Sequence, residues 1–398
     1  MKRTLQSSGL HSSPLFPVAA LALIAATYGL ARLGYGLFLP SFSATFALTP
    51  TVGGLLASGA SVVYCASAVV GFRYAPTLPR VVAILAGSTA TVGSFGIAAA
   101  PNTAVFAAAV LVAGMGAGFA SPALVELVQR NSPADQQSKV QSVVNSGTGF
   151  GVVIAGVLAL AIGTSWRLAW GLIAVVALAS LVGVLRTDRS RAAAVPGSKQ
   201  SQPASSSPEF RALWHPILAA FSFGVGASAI WVHGRTLLEQ DGGMAVEVSA
   251  GAWIALGVGG AAAVFLAPWL ARHSLRITWL VTVVGVAIAT GGFAVAPQSP
   301  VISFGAAAVF GLAYTAATSV LIIWATHSTA NSAAGTSVLF TSLVLGQAVG
   351  ATLTGALIEV LGFSPAFAVA AGVCLVSVLK PAPRPDLVAA APASATIV

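Results

Sequence analysis

Tyr28, Arg32 and Tyr35 stand at i, i+4 and i+7 of an apolar run, residues 18–40, VAALALIAATYGLARLGYGLFLP. On a regular helix this spacing puts one guanidinium and two phenol hydroxyls on a single face. A run of about 20 apolar residues crosses a bilayer. A charge inside such a run is costly in hydrocarbon, so Arg32 must face protein or water. If residues 18–37 fill the hydrocarbon, Arg32 lies about 6 Å beyond the midplane, at about 1.5 Å of rise per residue. That is deep for a side chain to snorkel to the interface. The chemistry offered is recognition of an anionic group, whether an organic anion or an internal carboxylate; the competing reading is a structural anchor.

Further polar groups fall inside other apolar runs. Ser228, Trp231 and Arg235 are spaced i, i+3 and i+7. Trp231 reads either as a cavity wall or as part of an interfacial aromatic belt, and Arg235 as a charge at the outer interface. That leaves Arg32 as the one plainly intramembrane charge. Tyr314, Gln347 and Tyr64 can hydrogen-bond a solute or a neighbouring helix. Glu126 and Glu359 stand near the ends of their runs, where a carboxylate is either solvated or, if buried, able to carry a proton. His233 reads as a packing residue rather than a proton carrier. No H-E-x-x-H, no paired intramembrane aspartates and no serine with a partnering histidine and aspartate occur, so no enzyme chemistry is legible. Cys65 and Cys374 lie in apolar runs, far from any CxxC or disulfide pattern. No metal site or cofactor is expected.

The elements that must position these groups are membrane helices. Of 398 residues, 57% are hydrophobic and 7% are charged, whereas a soluble domain carries about 25% charged residues. The runs are continuous rather than alternating, which excludes a barrel and predicts an all-α polytopic fold. Twelve spans are expected: 18–39, 51–71, 81–100, 103–126, 141–163, 167–186, 214–236, 248–270, 277–296, 300–325, 335–359 and 365–380. Proline and glycine punctuate the breaks. The stretch 187–211, TDRSRAAAVPGSKQSQPASSSPEFR, is rich in Ser, Pro and charge and reads as a linker. It divides the chain into six-helix bundles at 1–186 and 212–380, followed by a tail at 381–398.

Charge placement sets the expected orientation. With the N-terminus inside, 15 of the 18 Lys and Arg fall on the cytoplasmic side, as the positive-inside rule requires. Both termini are then cytoplasmic in a cell (plasma or inner) membrane protein. The same placement leaves Glu239, Asp241 and Glu247 in one outer loop. Because the positive charges are scattered between spans, the net charge of +9 does not indicate nucleic acid.

The two halves repeat. Gly147, Gly151 and Gly156 return as Gly346, Gly350 and Gly355 at a constant offset of 199, and Gly114 returns as Gly311 at 197. These glycines are expected to let helices approach closely, and a same-sense repeat of six spans is a transporter architecture.

This organisation resembles the major facilitator superfamily (MFS) of secondary transporters. Gly71 and Arg80 match the ends of the family's loop motif after span two, without its aspartate. Gly114, Gly116 and Gly118 match the fourth-span glycines, without the arginine ahead of them. Gly156 is followed by Val157 where many members have proline. Gly29-x-x-Arg32-x-x-Tyr35, then Pro40, resembles a bacterial branch. The resemblance implies a small-molecule substrate moved by alternating access through a central cavity lined by Arg32, Tyr28, Tyr35, Trp231, Tyr314 and Gln347. Partners would be that solute, the bilayer and candidate protons, with Glu126 and Glu359 as the coupling carboxylates in a monomer. Three readings stand: transport of a small organic solute such as an organic anion, multidrug-type efflux of neutral or cationic compounds, and a non-transporting sensor on the same scaffold.

Overall fold

The computed structural model describes residues 15–188, 210–329 and 331–378. The linker beyond Asp188, the tail, and Lys2, Arg3, Arg189, Arg191, Lys199, Lys380 and Arg384 lie outside the described residues. Among the described residues the chain is helical, with no strand. Eleven helices are long and apolar enough to cross a membrane: α1 (Leu15–Phe46), α2 (Pro50–Tyr74), α3 (Pro79–Ala99), α4 (Thr103–Asn131), α5 (Gln137–Ile162), α6 (Trp166–Thr187), α7 (Leu213–Gln240), α8 (Val246–Arg272), α9 (Leu275–Val295), α10 (Pro300–Ser328) and α11 (Ala334–Leu361). A shorter apolar helix, α12 (Phe363–Val376), completes the set. Large apolar side chains such as Leu55, Phe95, Phe265 and Val301 are exposed, as on a surface meant for lipid rather than water.

Turn chemistry places the helix ends. Thr49, Asn102, Ser274, Ser299 and Asn331 accept a backbone N–H two or three residues on as N-caps, and Pro50 and Pro300 occupy the first helical position. The ends differ from expectation in three places that matter. Pro40 lies inside α1, which runs on to Phe46, because residues there pack on Phe106, Trp166 and Trp170 instead of ending at the membrane surface. Helix α7 continues to Gln240, which takes Glu239 out of the expected outer loop. Helix α4 continues to Asn131, so Glu126 lies more than a turn inside it.

Helix α8 tightens into a 3-10 turn at Ala263–Leu266, while α1 and α7 widen. Ala25–Arg32 and Ala229–His233 adopt π-helical turns. In α1 the Leu33 N–H reaches back five residues to the Tyr28 carbonyl, at 2.9 Å. The wider turn rotates Tyr35 relative to Arg32, so the straight i, i+4, i+7 stripe does not survive intact. Such segments are uncommon and are frequent at functional sites.

Packing repeats in the two halves. Helix α5 lies against α1, with Gly147 and Gly151 facing Leu21, Ala25 and Gly29, and α11 lies against α7, with Gly346 and Gly350 facing Phe221 and Val225. The third glycine of each stripe faces the other half: Gly156 meets Ala250 and Ile254 of α8, and Gly355 meets Pro50 and Thr51 of α2. Contacts between the first six and last six helices cluster at mid-depth and toward the end remote from the linker. There the backbones of α1 and α7 touch, and a Cβ on Gly36 would run into the Trp231 carbonyl. Toward the linker end the notable polar contacts bind each half to itself, as between Arg80 and Asp188 and between Trp279 and the Ser377 carbonyl.

Gly36→Ala is therefore expected to lower thermal stability in detergent by about 1–3 kcal/mol, the usual cost of overpacking. Gly171→Ala, at a helical glycine with open space around it, leaves stability unchanged or slightly raised. Equal melting temperatures for the two variants would remove the close approach from the account.

Candidate functional site

The two π-helical turns meet at one cavity, about 480 Å³ of empty space partly continuous with solvent. Its wall includes Arg32, Tyr35, Ser61, Ser228, Trp231 and Gln347. The Arg32 guanidinium lies 4.4 Å from the centroid of the Tyr64 ring, a cation–π contact. One of its terminal nitrogens donates to Gln347 Oε1 at 3.2 Å, and the Gln347 amide donates to the Tyr314 hydroxyl at 2.9 Å. A single polar chain thus runs from α1 through α11 to α10. Beside it the hydroxyls of Tyr28 and Tyr64 share a hydrogen bond of 3.0 Å.

Arg32 makes no ion pair among the described residues, where the ion pairs are Arg80–Asp188 and Arg235–Glu239. A guanidinium has five N–H donors, and Gln347 uses one. The charge sits half-buried at mid-depth with spare donors and no carboxylate within 4 Å.

Trp231 forms the opposite wall. It meets Phe310, Tyr314 and Trp253 edge to face, with centroids 5.5, 5.4 and 6.2 Å away. Tyr314 is stacked between Phe310 and Phe223, at 5.6 and 5.7 Å. These rings hold one another in fixed orientations.

Of the expected wall residues, Arg32, Trp231 and Gln347 line this space, whereas Tyr28 and Tyr314 do not and are joined to it through Tyr64 and Gln347. Tyr35 also lines the cavity, but its hydroxyl donates to the Gly53 carbonyl at 2.9 Å, tying α1 to α2. Glu126 and Glu359 do not line it. Glu359 stands exposed near the end of α11 and accepts from the Thr51 N–H at 2.9 Å, putting a negative charge on the positive N-terminus of α2. The residue that spacing alone undervalues is Tyr64. It lies on α2, and nothing in its own run shows that it will stack beneath Arg32.

Arg235 corrects an expectation. It is not at an exposed interface but is 2% exposed. Its Nε lies 2.7 Å from Glu239 and donates to Ser249 at 2.9 Å, while its terminal nitrogens donate to the carbonyls of Leu37 and Val246. Arg32 is therefore not the sole charge inside the protein. The two differ in that Arg235 is paired with a carboxylate and ties α7 to α1 and α8 at the end remote from the linker. His233 is also buried, with Nε2 3.2 Å from the Ala351 carbonyl, inside the same half.

At the linker end, the missing loop aspartate has a substitute from elsewhere. Arg80 lies 3.3 Å from Asp188 at the end of α6 and donates to the Leu185 carbonyl, and Asn131 donates to the same carboxylate at 2.8 Å. The first half is thereby clasped to itself.

A family model described as Major Facilitator Superfamily matches residues 21–342. No curated protein matches the chain by sequence. Solved structures do match in fold. A mutant of the nucleoside transporter NupG superposes with a TM-score of 0.74 at 11% identity, over 92% of this chain and 97% of that one. The D-xylose–proton symporter gives 0.72 at 12%, over 92% and 97%. A bacterial homologue of the human lysosomal transporter Spinster, inward-facing and unoccupied, gives 0.69 at 16%, over 92% and 95%.

Arg235→Ala strands Glu239 and is expected to cost about 3–5 kcal/mol of stability, as when one partner of a buried pair is removed. Adding Glu239→Gln should recover part of that loss. Strict additivity of the two changes in thermal unfolding would show that the pair is not coupled.

Proposed function

The chain belongs to the Major Facilitator Superfamily, and from that premise we propose that it carries a small organic anion across a cell membrane by alternating access. It is a multi-pass membrane transporter of small solutes and not an enzyme. The finer reading rests on Arg32. Its charge faces the central cavity with donors to spare and no protein carboxylate among the described residues to neutralise it. A buried charge without a partner is unfavourable, and a carboxylate or similar anion supplies the missing one with two parallel hydrogen bonds.

Two further observations support this mechanism. Arg73, Arg80, Arg130, Lys139, Arg186, Arg272 and Arg276 lie at the linker end, which favours that end as cytoplasmic. With contacts between the halves gathered toward the other end, the conformation reads as open to the cytoplasm and closed outside. Rocking about the α1–α7 and α2–α11 seams would expose the same cavity to the opposite side. The bundles 1–186 and 212–380 are the units that would rock, and the carrier would work as a monomer. The fold neighbours named for nucleosides and for D-xylose are carriers of small solutes. For protons, Glu126 is the better-placed carrier, since Glu359 is engaged at the outer closure.

Arg32→Gln is the test. Purified wild-type protein is expected to be stabilised against heat by organic anions from a solute panel, because a ligand that binds the folded state shifts its melting by mass action. The same anions should be taken up by reconstituted vesicles. Arg32→Gln should insert into the membrane and fold, yet lose anion uptake at least tenfold. Unchanged anion kinetics in that variant would remove Arg32 from the site, and uptake confined to neutral or cationic compounds would replace the anion reading.

A further inference from the structure

The cavity has two chemically different walls, and they come from corresponding places in the repeat. Ala25 and Val225 are equivalent through their contacts with Gly151 and Gly350, and they are 200 residues apart. Arg32 and Trp231 are 199 apart, within one residue of the same register. Each ends or occupies the π-helical turn of its own half. The first half thus presents a cation at this point, and the second half presents a tryptophan.

Trp231 is not a loose cavity residue. The three rings edge-on to it hold it in place, and only 8% of its surface is open. It nevertheless lines the same cavity as Arg32. One chain of contacts joins the two walls: Arg32 to Gln347, Gln347 to Tyr314, Tyr314 to Trp231. The remaining apolar lining mixes small residues, Gly36, Ala57, Ala60 and Ala351, with Leu33 and Val232, so the space beside the charge suits an apolar body.

Resting on the anion reading above, we propose that the substrate is an aromatic monocarboxylate, its carboxylate on Arg32 and its ring against Trp231. The charge of Arg32 alone asks only for an anion. The aromatic wall adds a demand for a planar π face, because ring pairs in offset or edge-to-face geometry gain more than their buried area alone provides. The lining leaves no second cation to hold a second carboxylate. A saturated ring of the same size keeps the charge and the apolar area but loses the ring pairing.

Benzoate and cyclohexanecarboxylate separate these contributions, since both are ionised at pH 7 and similar in size. Their affinities for purified full-length protein in lipid nanodiscs can be measured by calorimetry. Benzoate is expected to bind roughly three- to tenfold more tightly, as the worth of a ring pair implies. Benzamide, which lacks the charge, should bind at least tenfold more weakly than benzoate. Trp231→Phe should keep the preference for benzoate, and Trp231→Leu should reduce it to about one while still binding both acids. Equal binding of the two acids by wild-type protein overturns the aromatic assignment and leaves the anion reading standing. Failure of both to bind overturns both readings. Should Trp231→Leu not fold, the wild-type ratio and the Trp231→Phe variant decide the matter.

Discussion

The backbones of α1 and α7 meet at Gly36 and the Trp231 carbonyl, and much of the molecule follows from that contact. Lipid offers no hydrogen-bond partners, so irregular backbone at membrane depth is tolerated only inside protein or beside water. The π-helical turns of the two helices are such irregular backbone. Pressed toward each other, they are shielded from lipid and share one cavity. The same approach puts the Leu37 carbonyl within reach of Arg235 and closes the end remote from the linker. A side chain at position 36 would hold the seam apart and loosen all three features at once.

The two arginines on these helices show how surroundings decide what a charge does. Arg235 meets a carboxylate, a hydroxyl and two carbonyls, with each guanidinium nitrogen engaged. Its desolvation is offset within the protein, and it behaves as structure. Arg32 has one amide oxygen and a ring face. The cost of its burial is met only in part, and that shortfall is what the proposed anion would offset. Sequence position ranked Arg32 as the deeper charge but could not show that Arg235 would be buried and paired. The difference lies in Glu239 and Ser249, which reach Arg235 only because α7 stays helical to Gln240 and α8 packs beside it.

Legibility in the sequence followed the range of the forces involved. The spans were plain because hydropathy is a local sum over about 20 residues. The glycine repeat was also plain, as a constant offset, and its contacts with α1, α7, α8 and α2 show what the offset encodes. The π-helical turns were not legible. They arise where α1 must accommodate Gly151 of α5, and α7 the stripe on α11, and Ala25–Arg32 carries no residue that demands a wider turn. Tyr35 was therefore placed on the Arg32 face, while its hydroxyl turned to Gly53. Tyr64 could be noticed as a polar residue in α2, but not as the ring beneath Arg32. Likewise the loop around Arg80 shows that its aspartate is missing but not what replaces it, since Asp188 lies more than a hundred residues away.

A duplicated scaffold with an unduplicated site is the physical consequence of these constraints. Packing is additive over many weak contacts, so both halves retain small residues wherever helices cross, and the symmetry persists at the glycines. A binding site is not additive in that way. Two arginines at equivalent places beside one cavity would repel at close range in a poorly screened environment, and neither would have a carboxylate. Two indoles there would leave an anion without a charge to meet. One of each gives a solute with a charged end and an apolar body a single orientation. The repeat therefore supplies two equivalent positions facing one space, and on the proposed reading the chemistry of a single bound molecule makes them diverge.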